Sequence, residues 1–180
     1  DFGNAMHLNE QAVLINKRIE KENNHKPVHL IGHSIGGPII VQLAQDYPGE
    51  FASLTLLAGS ISPKDEPKEY WRYLFMYSPL RWLMPGAFKP SNDEIMFCKK
   101  DLYGIDTGYA QIKMPVTFIH GDADKFVTVK NVDYGKKKLA NNPGVKIIII
   151  TGASHFIPLE PFDIIQEHLL GLAIRDSPKY

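Results

Sequence analysis

Val28-His29-Leu30-Ile31-Gly32-His33-Ser34-Ile35-Gly36-Gly37 is the stretch on which the reading of this chain turns. An apolar run, a serine between glycines and the opening of a second apolar segment follow one another directly, which reads as a strand, a forced turn and a helix start. The glycines stand where the chain must reverse sharply from strand to helix with backbone approaching backbone. Ser34 would be exposed at the edge of a sheet. It would also lie at a helix N-terminus, where unpaired N–H groups and the helix dipole favour developing negative charge. Ser34 is therefore the candidate nucleophile, and the backbone N–H of Ile35 a candidate oxyanion donor. The segment from Pro38 to Pro48 has a proline in its first turn and stops before another, as a well-bounded buried helix does. The same glycine pattern also arises as a tight connection or a phosphate cradle. Against the cradle, the chain lacks both the Lys-Ser/Thr ending of a phosphate-binding loop and the three-glycine spacing of a dinucleotide loop.

Three further strands are expected. Leu54–Ala58 is one, and Met114–His120 runs into the turn Gly121-Asp122-Ala123-Asp124, which puts a carboxylate just past a strand's C-terminal end. Val145–Ile150 is too continuously apolar for a half-exposed strand and is expected to be buried; it ends in Thr151-Gly152-Ala153-Ser154-His155-Phe156. In an open parallel sheet, groups beyond the carboxyl ends of the strands converge on one crevice, so Ser34, an aspartate of the 121–124 turn and His155 can meet there.

With these three stations in view, the chain resembles the α/β-hydrolase superfamily. Gly32-His33-Ser34-Ile35-Gly36, Gly121-Asp122-Ala123-Asp124 and Gly152-Ala153-Ser154-His155 match its serine, acid and histidine stations, in its order. The resemblance runs from about Asn9 to Leu172. It implies an α/β fold, a mostly parallel sheet flanked by helices, with residues 1–60 and 111–180 forming the core and residues 61–110 a helical cap. It also implies a Ser-His-Asp triad: Ser34 attacks a carbonyl, His155 takes and returns the proton, and a buried carboxylate holds the imidazole. Asp124 matches the family's Gly-x-x-Asp acid; Asp122, nearer the strand, is the alternative. A serine in the elbow is unlike haloalkane dehalogenases and epoxide hydrolases, which resemble this fold but use an aspartate there.

The resemblance further implies strands upstream of the nucleophile strand and a loop supplying the second oxyanion donor. Neither precedes Val28 here, and the chain opens on Asp1, so a longer protein is expected. Strand Val28–Ile31 would then have an uncovered edge. The first recognisable element is a helix over Asn9–Lys21, with Val13, Leu14 and Ile19 among its apolar positions.

Tyr70, Trp71, Tyr73, Phe75, Met76, Tyr77, Trp82, Met84, Phe88, Met96 and Phe97 crowd the 61–110 insertion. Most are expected to pack the cap, and some to line a pocket for an apolar acyl or alcohol group. Pro63, Pro67, Pro79, Pro85 and Pro90 break the insertion into short helices.

Composition narrows the function classes. The 180 residues carry 44% hydrophobic residues and zero formal net charge, which argues against disorder and against a nucleic-acid footprint. No segment is apolar and long enough to span a bilayer, and a cytoplasmic location is expected. The lone Cys98 excludes an intrachain disulfide and is expected to pack in the cap. Lys136-Lys137-Lys138 lies in an expected helix over Lys130–Ala140 as a solvated face. His29, His33 and His120 are expected to be hydrogen-bonded structural residues, while His7, His25 and His168 fall in loop or helix-surface segments. None has companions at metal-ligand spacing, so neither metal nor cofactor is expected. The expected partner is a small-molecule ester with an apolar group; the oligomeric state is left open.

Ester hydrolysis through an acyl-enzyme is the leading expectation. Thioester hydrolysis, lactone opening, C–C cleavage and acyl transfer use the same residues. Two readings of other classes stand beside it: a hydrolase-like binding protein without turnover, and a fragment that pairs with another chain through its open sheet edge.

Overall fold

The computed structural model describes residues 4–22, 26–65, 72, 74–75, 79–86, 88–159 and 162–175. His25, Pro67, Tyr70, Trp71, Tyr73, Met76 and Tyr77, singled out above, lie outside them. Strands β1 (His29–His33), β2 (Ser53–Leu57), β3 (Val116–Gly121) and β4 (Val145–Ile150) form one parallel sheet in the order β1-β2-β3-β4. Helices α1 (Leu8–Glu22), α2 (Gly36–Asp46), α3 (Phe88–Ile105), α4 (Lys130–Lys138) and α5 (Phe162–Arg175) flank it.

Strand alternation divides the core between the two faces. Leu30, Leu54, Leu56, Val116 and Phe118 point one way, into a cluster shared with Leu8 and Ala12 of α1, the apolar positions of α2, Leu102 and Ile105 of α3 and Val132 of α4. Leu57, Ile119, Ile148 and Ile150 point the other way and meet Ile157 and Ile165, so α5 covers that face. Each fully buried Leu or Ile of these clusters stabilises the fold by about 1.5–3 kcal/mol. Buried on both faces, β2 and β3 are shielded along their whole length, and their polar residues Ser53, Thr55, Thr117 and His120 are buried along with the apolar ones.

The edge strands behave differently. Against expectation, β4 is not buried: Ile149 is 42% exposed, Ile147 36%, and Lys146 is exposed as well. It lies at the end of the sheet, with a neighbouring strand on one side only. An apolar run reports strand propensity as readily as burial. At the opposite edge, Ile31 of β1 is exposed too. In α1 the apolar positions split: Leu8 and Ala12 are buried, whereas Val13, Leu14 and Ile15 face outward.

Because all four strands are parallel, their C-terminal ends share one rim. Ser34 follows β1, Ala58 and Ser60 follow β2, the 121–124 turn follows β3, and the 151–156 loop follows β4. The long connection from β2 to β3 leaves from that rim, carries a short 3-10 turn at Pro79–Leu83 and then α3, and re-enters the sheet at β3.

Candidate active site

The elbow is built from close approach and a strained backbone. Ser34 has φ of +54°, a left-handed conformation that non-glycine residues rarely adopt and that costs of order 1–3 kcal/mol. Its neighbours hold it there. The Ser34 N–H donates to the Leu57 carbonyl (3.0 Å), extending the ladder past β1, and the Ser34 carbonyl accepts from the N–H groups of Gly37 (2.9 Å) and Ser60 (3.2 Å). A Cβ on Gly32 would overlap the Gly36 carbonyl, and one on Gly37 would stand 2.9 Å from Cα of Gly59. At Gly36 a Cβ would meet open space, so the reversal requires Gly32 and Gly37 rather than the glycine two places after the serine. Ile35 is the residue that caps α2 at its N-terminus, where the first N–H groups of a helix have no intrahelical acceptor.

Three side chains from three strand ends form a continuous hydrogen-bonded line. Ser34 Oγ lies 2.9 Å from His155 Nε2, and His155 Nδ1 lies 2.8 Å from Asp124 Oδ2. The Asp124 side chain is fully buried and that of His155 is 9% exposed. The other carboxylate oxygen, Oδ1 of Asp124, accepts the backbone N–H groups of Phe126 (2.8 Å) and Val127 (2.9 Å). Both oxygens of this carboxylate are therefore directed, one at the turn and one at the imidazole. Asp122 does not reach His155; its exposed carboxylate accepts the Gly152 N–H at 2.6 Å and ties the 121–124 turn to the 151–156 loop.

Two further histidines brace this line. His33 Nε2 donates to the His155 carbonyl at 2.9 Å, and the two rings lie 4.9 Å apart. His120, 2% exposed, donates from Nε2 to the Val127 carbonyl at 2.9 Å and stands 3.6 Å from Asp124 Oδ2. Burial pushes its pKa below the usual 6.5, against the opposing pull of the Val127 carbonyl and Asp124. It stays neutral at the back of the site, donating rather than carrying charge. The remaining histidines are tied elsewhere: His29 to Ser53 Oγ (2.6 Å), His168 to Thr55 Oγ1 (2.9 Å), and His7 to Asp101 (3.0 Å) while stacked on Phe97. Among the described residues no group of three or more His, Cys, Asp or Glu is placed to hold a metal ion.

Ser34 and His155 open into a cavity of about 230 Å³. Ile35, Ser60 and Val127 line it from the sheet side, and Phe126 and Phe156 flank His155 with ring centroids 5.6 and 5.7 Å away. From the β2–β3 connection come Arg72, Ile95 and Cys98. The aromatics expected to line a pocket do not do so among the described residues. Trp82 is 88% exposed and Phe88 63%, and Phe97 packs on His7. The aromatic walls are instead Phe126 and Phe156, one or two residues from the acid and the histidine. Proximity to those two residues was the available signal for them; nothing in the local sequence marked Arg72.

A family model described as the alpha/beta hydrolase fold matches residues 4–100. The chain belongs to the alpha/beta hydrolase fold family. Solved structures share the α/β-hydrolase architecture along nearly all of it. The monoacylglycerol lipase of Paleococcus ferrophilus is 14% identical, with 97% of this chain and 77% of that one covered at a TM-score of 0.71. A peroxisomal alpha-beta-hydrolase of Saccharomyces cerevisiae is also 14% identical, with 99% and 63% covered and a TM-score of 0.69. A carboxylesterase structure from Nitrososphaera gargenis is 19% identical, with 94% and 73% covered and a TM-score of 0.64. The chain thus spans between 63% and 77% of the length of these three hydrolase-fold proteins. No curated protein matches it. Among the described residues, no helix is long and apolar enough to cross a membrane.

Proposed function

We propose that the protein is a serine hydrolase that cleaves a carboxylic ester through an acyl-enzyme, with Ser34 as nucleophile, His155 as base and acid, and Asp124 as the carboxylate that orients the imidazole. The observation that carries this reading is the line from Ser34 Oγ through His155 to Asp124, at 2.9 and 2.8 Å, opening on an apolar-walled cavity.

Each step follows from that geometry. Asp124 accepts from Nδ1–H, which leaves the Nε2 lone pair facing the serine hydroxyl. Ser34 Oγ bonds to the ester carbonyl carbon as its proton passes to His155 Nε2, and Asp124 balances the imidazolium charge. The carbonyl oxygen becomes an oxyanion, for which the Ile35 N–H at the start of α2 is the donor from this chain. The tetrahedral intermediate collapses, the C–O bond to the alcohol breaks, and the leaving oxygen takes the proton from Nε2. Water then attacks the acyl-Ser34 carbonyl, gives its proton to Nε2, and the released serine oxygen recovers it as the carboxylic acid departs. The core is formed by residues 1–60 and 111–180, with 61–110 as a cap over the cavity.

Similarity to a monoacylglycerol lipase and a carboxylesterase supports an ester as the substrate class. The test is labelling with a fluorophosphonate, which phosphonylates an activated serine, alongside turnover of short-chain chromogenic esters. Labelling at Ser34, lost together with turnover in Ser34→Ala, is the expected result. A folded protein that neither labels at Ser34 nor hydrolyses any ester of the series overturns the reading.

A further inference from the structure

Ester cleavage fixes where the leaving alcohol must lie. The tetrahedral carbon is bonded to Ser34 Oγ, to the oxyanion that faces the Ile35 N–H, to the leaving oxygen and to the acyl carbon. His155 Nε2 gives its proton to the leaving oxygen, so that oxygen stands within hydrogen-bond reach of Nε2, about 3 Å away. The first atoms of the alcohol group therefore fall beside the imidazole, and the acyl chain takes the remaining direction. Whatever flanks His155 inside the cavity is a wall of the alcohol site.

Two phenyl rings flank it there, the only ones among the described residues that line the cavity. Phe126 and Phe156 have centroids 5.6 and 5.7 Å from that of His155, and they meet each other edge to face at 6.1 Å. Together they make a corner of hydrocarbon beside the imidazole. Both are nonetheless more than half exposed, Phe126 at 59% and Phe156 at 52%. Each ring thus keeps apolar surface that a bound group would remove from water, and contiguous apolar surface at a cleft marks a ligand site. The seats of the rings are fixed by the triad segments themselves. Asp124 Oδ1 accepts the Phe126 N–H at 2.8 Å, and Phe156 follows His155 directly, its carbonyl accepting the Leu159 N–H at 2.8 Å. The corner is carried by the same turns that carry the acid and the base.

We infer that Phe126 and Phe156 are specificity residues that form the leaving-group site, so that the substrate class is esters whose alcohol carries a ring-sized apolar group. This rests on the serine-hydrolase reading and adds to it the chemistry of the alcohol half of the substrate.

The test compares benzyl butanoate with methoxyethoxyethyl butanoate, which has the same acyl chain and a polar alcohol group of the same heavy-atom count. In the unsubstituted protein kcat/KM should favour the benzyl ester by about 10–100-fold, through apolar burial and ring–ring contact. The combined variant Phe126→Ala/Phe156→Ala should reduce that preference to within about 3-fold, by a loss of kcat/KM concentrated on the benzyl ester. Independently of any substitution, benzyl alcohol should inhibit turnover of methyl butanoate more strongly than methoxyethoxyethanol does. Equal kcat/KM for the two esters, equal inhibition by the two alcohols, or a preference that survives the combined variant overturns the assignment. A loss of kcat/KM on both esters alike in that variant overturns it as well, because the rings then act on the imidazole rather than on the alcohol. Failure of the serine-hydrolase reading looks different: neither ester is turned over and Ser34 does not label.

Discussion

Asp124 and Asp106 each hold a carboxylate against a proton-bearing partner, but the two clusters are built for opposite ends. Asp106 accepts a hydrogen bond from Tyr134 Oη and pairs with Lys138 Nζ at 2.6 Å, with Lys138 also reaching the Asp106 carbonyl at 3.2 Å. Lys138 first and Tyr134 second pull the Asp106 carboxyl below the usual carboxylate range, while burial and then Asp106 push the Tyr134 phenol up. Each group is thereby locked in the protonation state it has at neutral pH. The cluster ties the end of α3 to α4 and borders a groove lined by Lys64, Lys130 and Lys137 with no histidine among its described residues. At Asp124 the partner is an imidazole, whose two ring nitrogens can donate on one side and accept on the other, and beyond it stands a hydroxyl that opens on a cavity. A carboxylate beside a cation fastens two helices together; a carboxylate beside a histidine can drive a proton transfer.

Substituting the two carboxylates should separate these roles. Asp124→Asn keeps an oxygen for the Phe126 and Val127 amides but presents the wrong tautomer to Ser34, and should lower ester turnover by about 10³–10⁴-fold with the fold intact. Asp106→Asn should leave turnover within about 2-fold and cost about 1 kcal/mol of stability, a modest figure because both partners are about one-third exposed. The contrast breaks if steady-state kinetics show comparable losses from both. Asp122→Ala removes the bond to Gly152 and should lower stability by roughly 0.5–1.5 kcal/mol, seen as a lower Tm, with turnover reduced only several-fold. A thousand-fold loss there would move the acid role to Asp122.

The smallest expected effect concerns pH. His120 binds a proton less readily in the folded protein than in the unfolded chain. Its contribution to stability is therefore complete above pH 6.5 and declines as the pH falls through 6.5 towards the lower folded value. Tm followed from about pH 8 to pH 5 should fall more steeply in the parent than in His120→Gln. Identical slopes would remove His120 as a source of that dependence.

Much of the site was legible because it is written in local chemistry. Gly32 to Gly37 puts glycines around Ser34 directly behind an apolar run, and Gly121–Asp124 and Gly152–His155 each follow an apolar run that reads as a strand. What escaped is what depends on neighbours. The apolar residues of β4 looked like core residues, but the strand ends the sheet and leaves Ile147 and Ile149 exposed. Some aromatics of the insertion were expected to line a pocket and most to pack the cap, yet Trp82 and Phe88 are exposed, while from the described residues of the insertion Arg72, Ile95 and Cys98 reach the cavity.

By itself, then, the sequence determined the strands, the strained turn and the order of serine, acid and histidine stations, because glycine placement and apolar runs act within a few residues. Only the tertiary structure decided that Asp124 rather than Asp122 reaches His155, that His33 and His120 brace it, and that, among the described residues of the insertion, Arg72, Ile95 and Cys98 line the cavity at Ser34. Apart from the local contacts of His120, these depend on distances between segments separated by tens of residues, set by the register of parallel strands and by which helix covers which face.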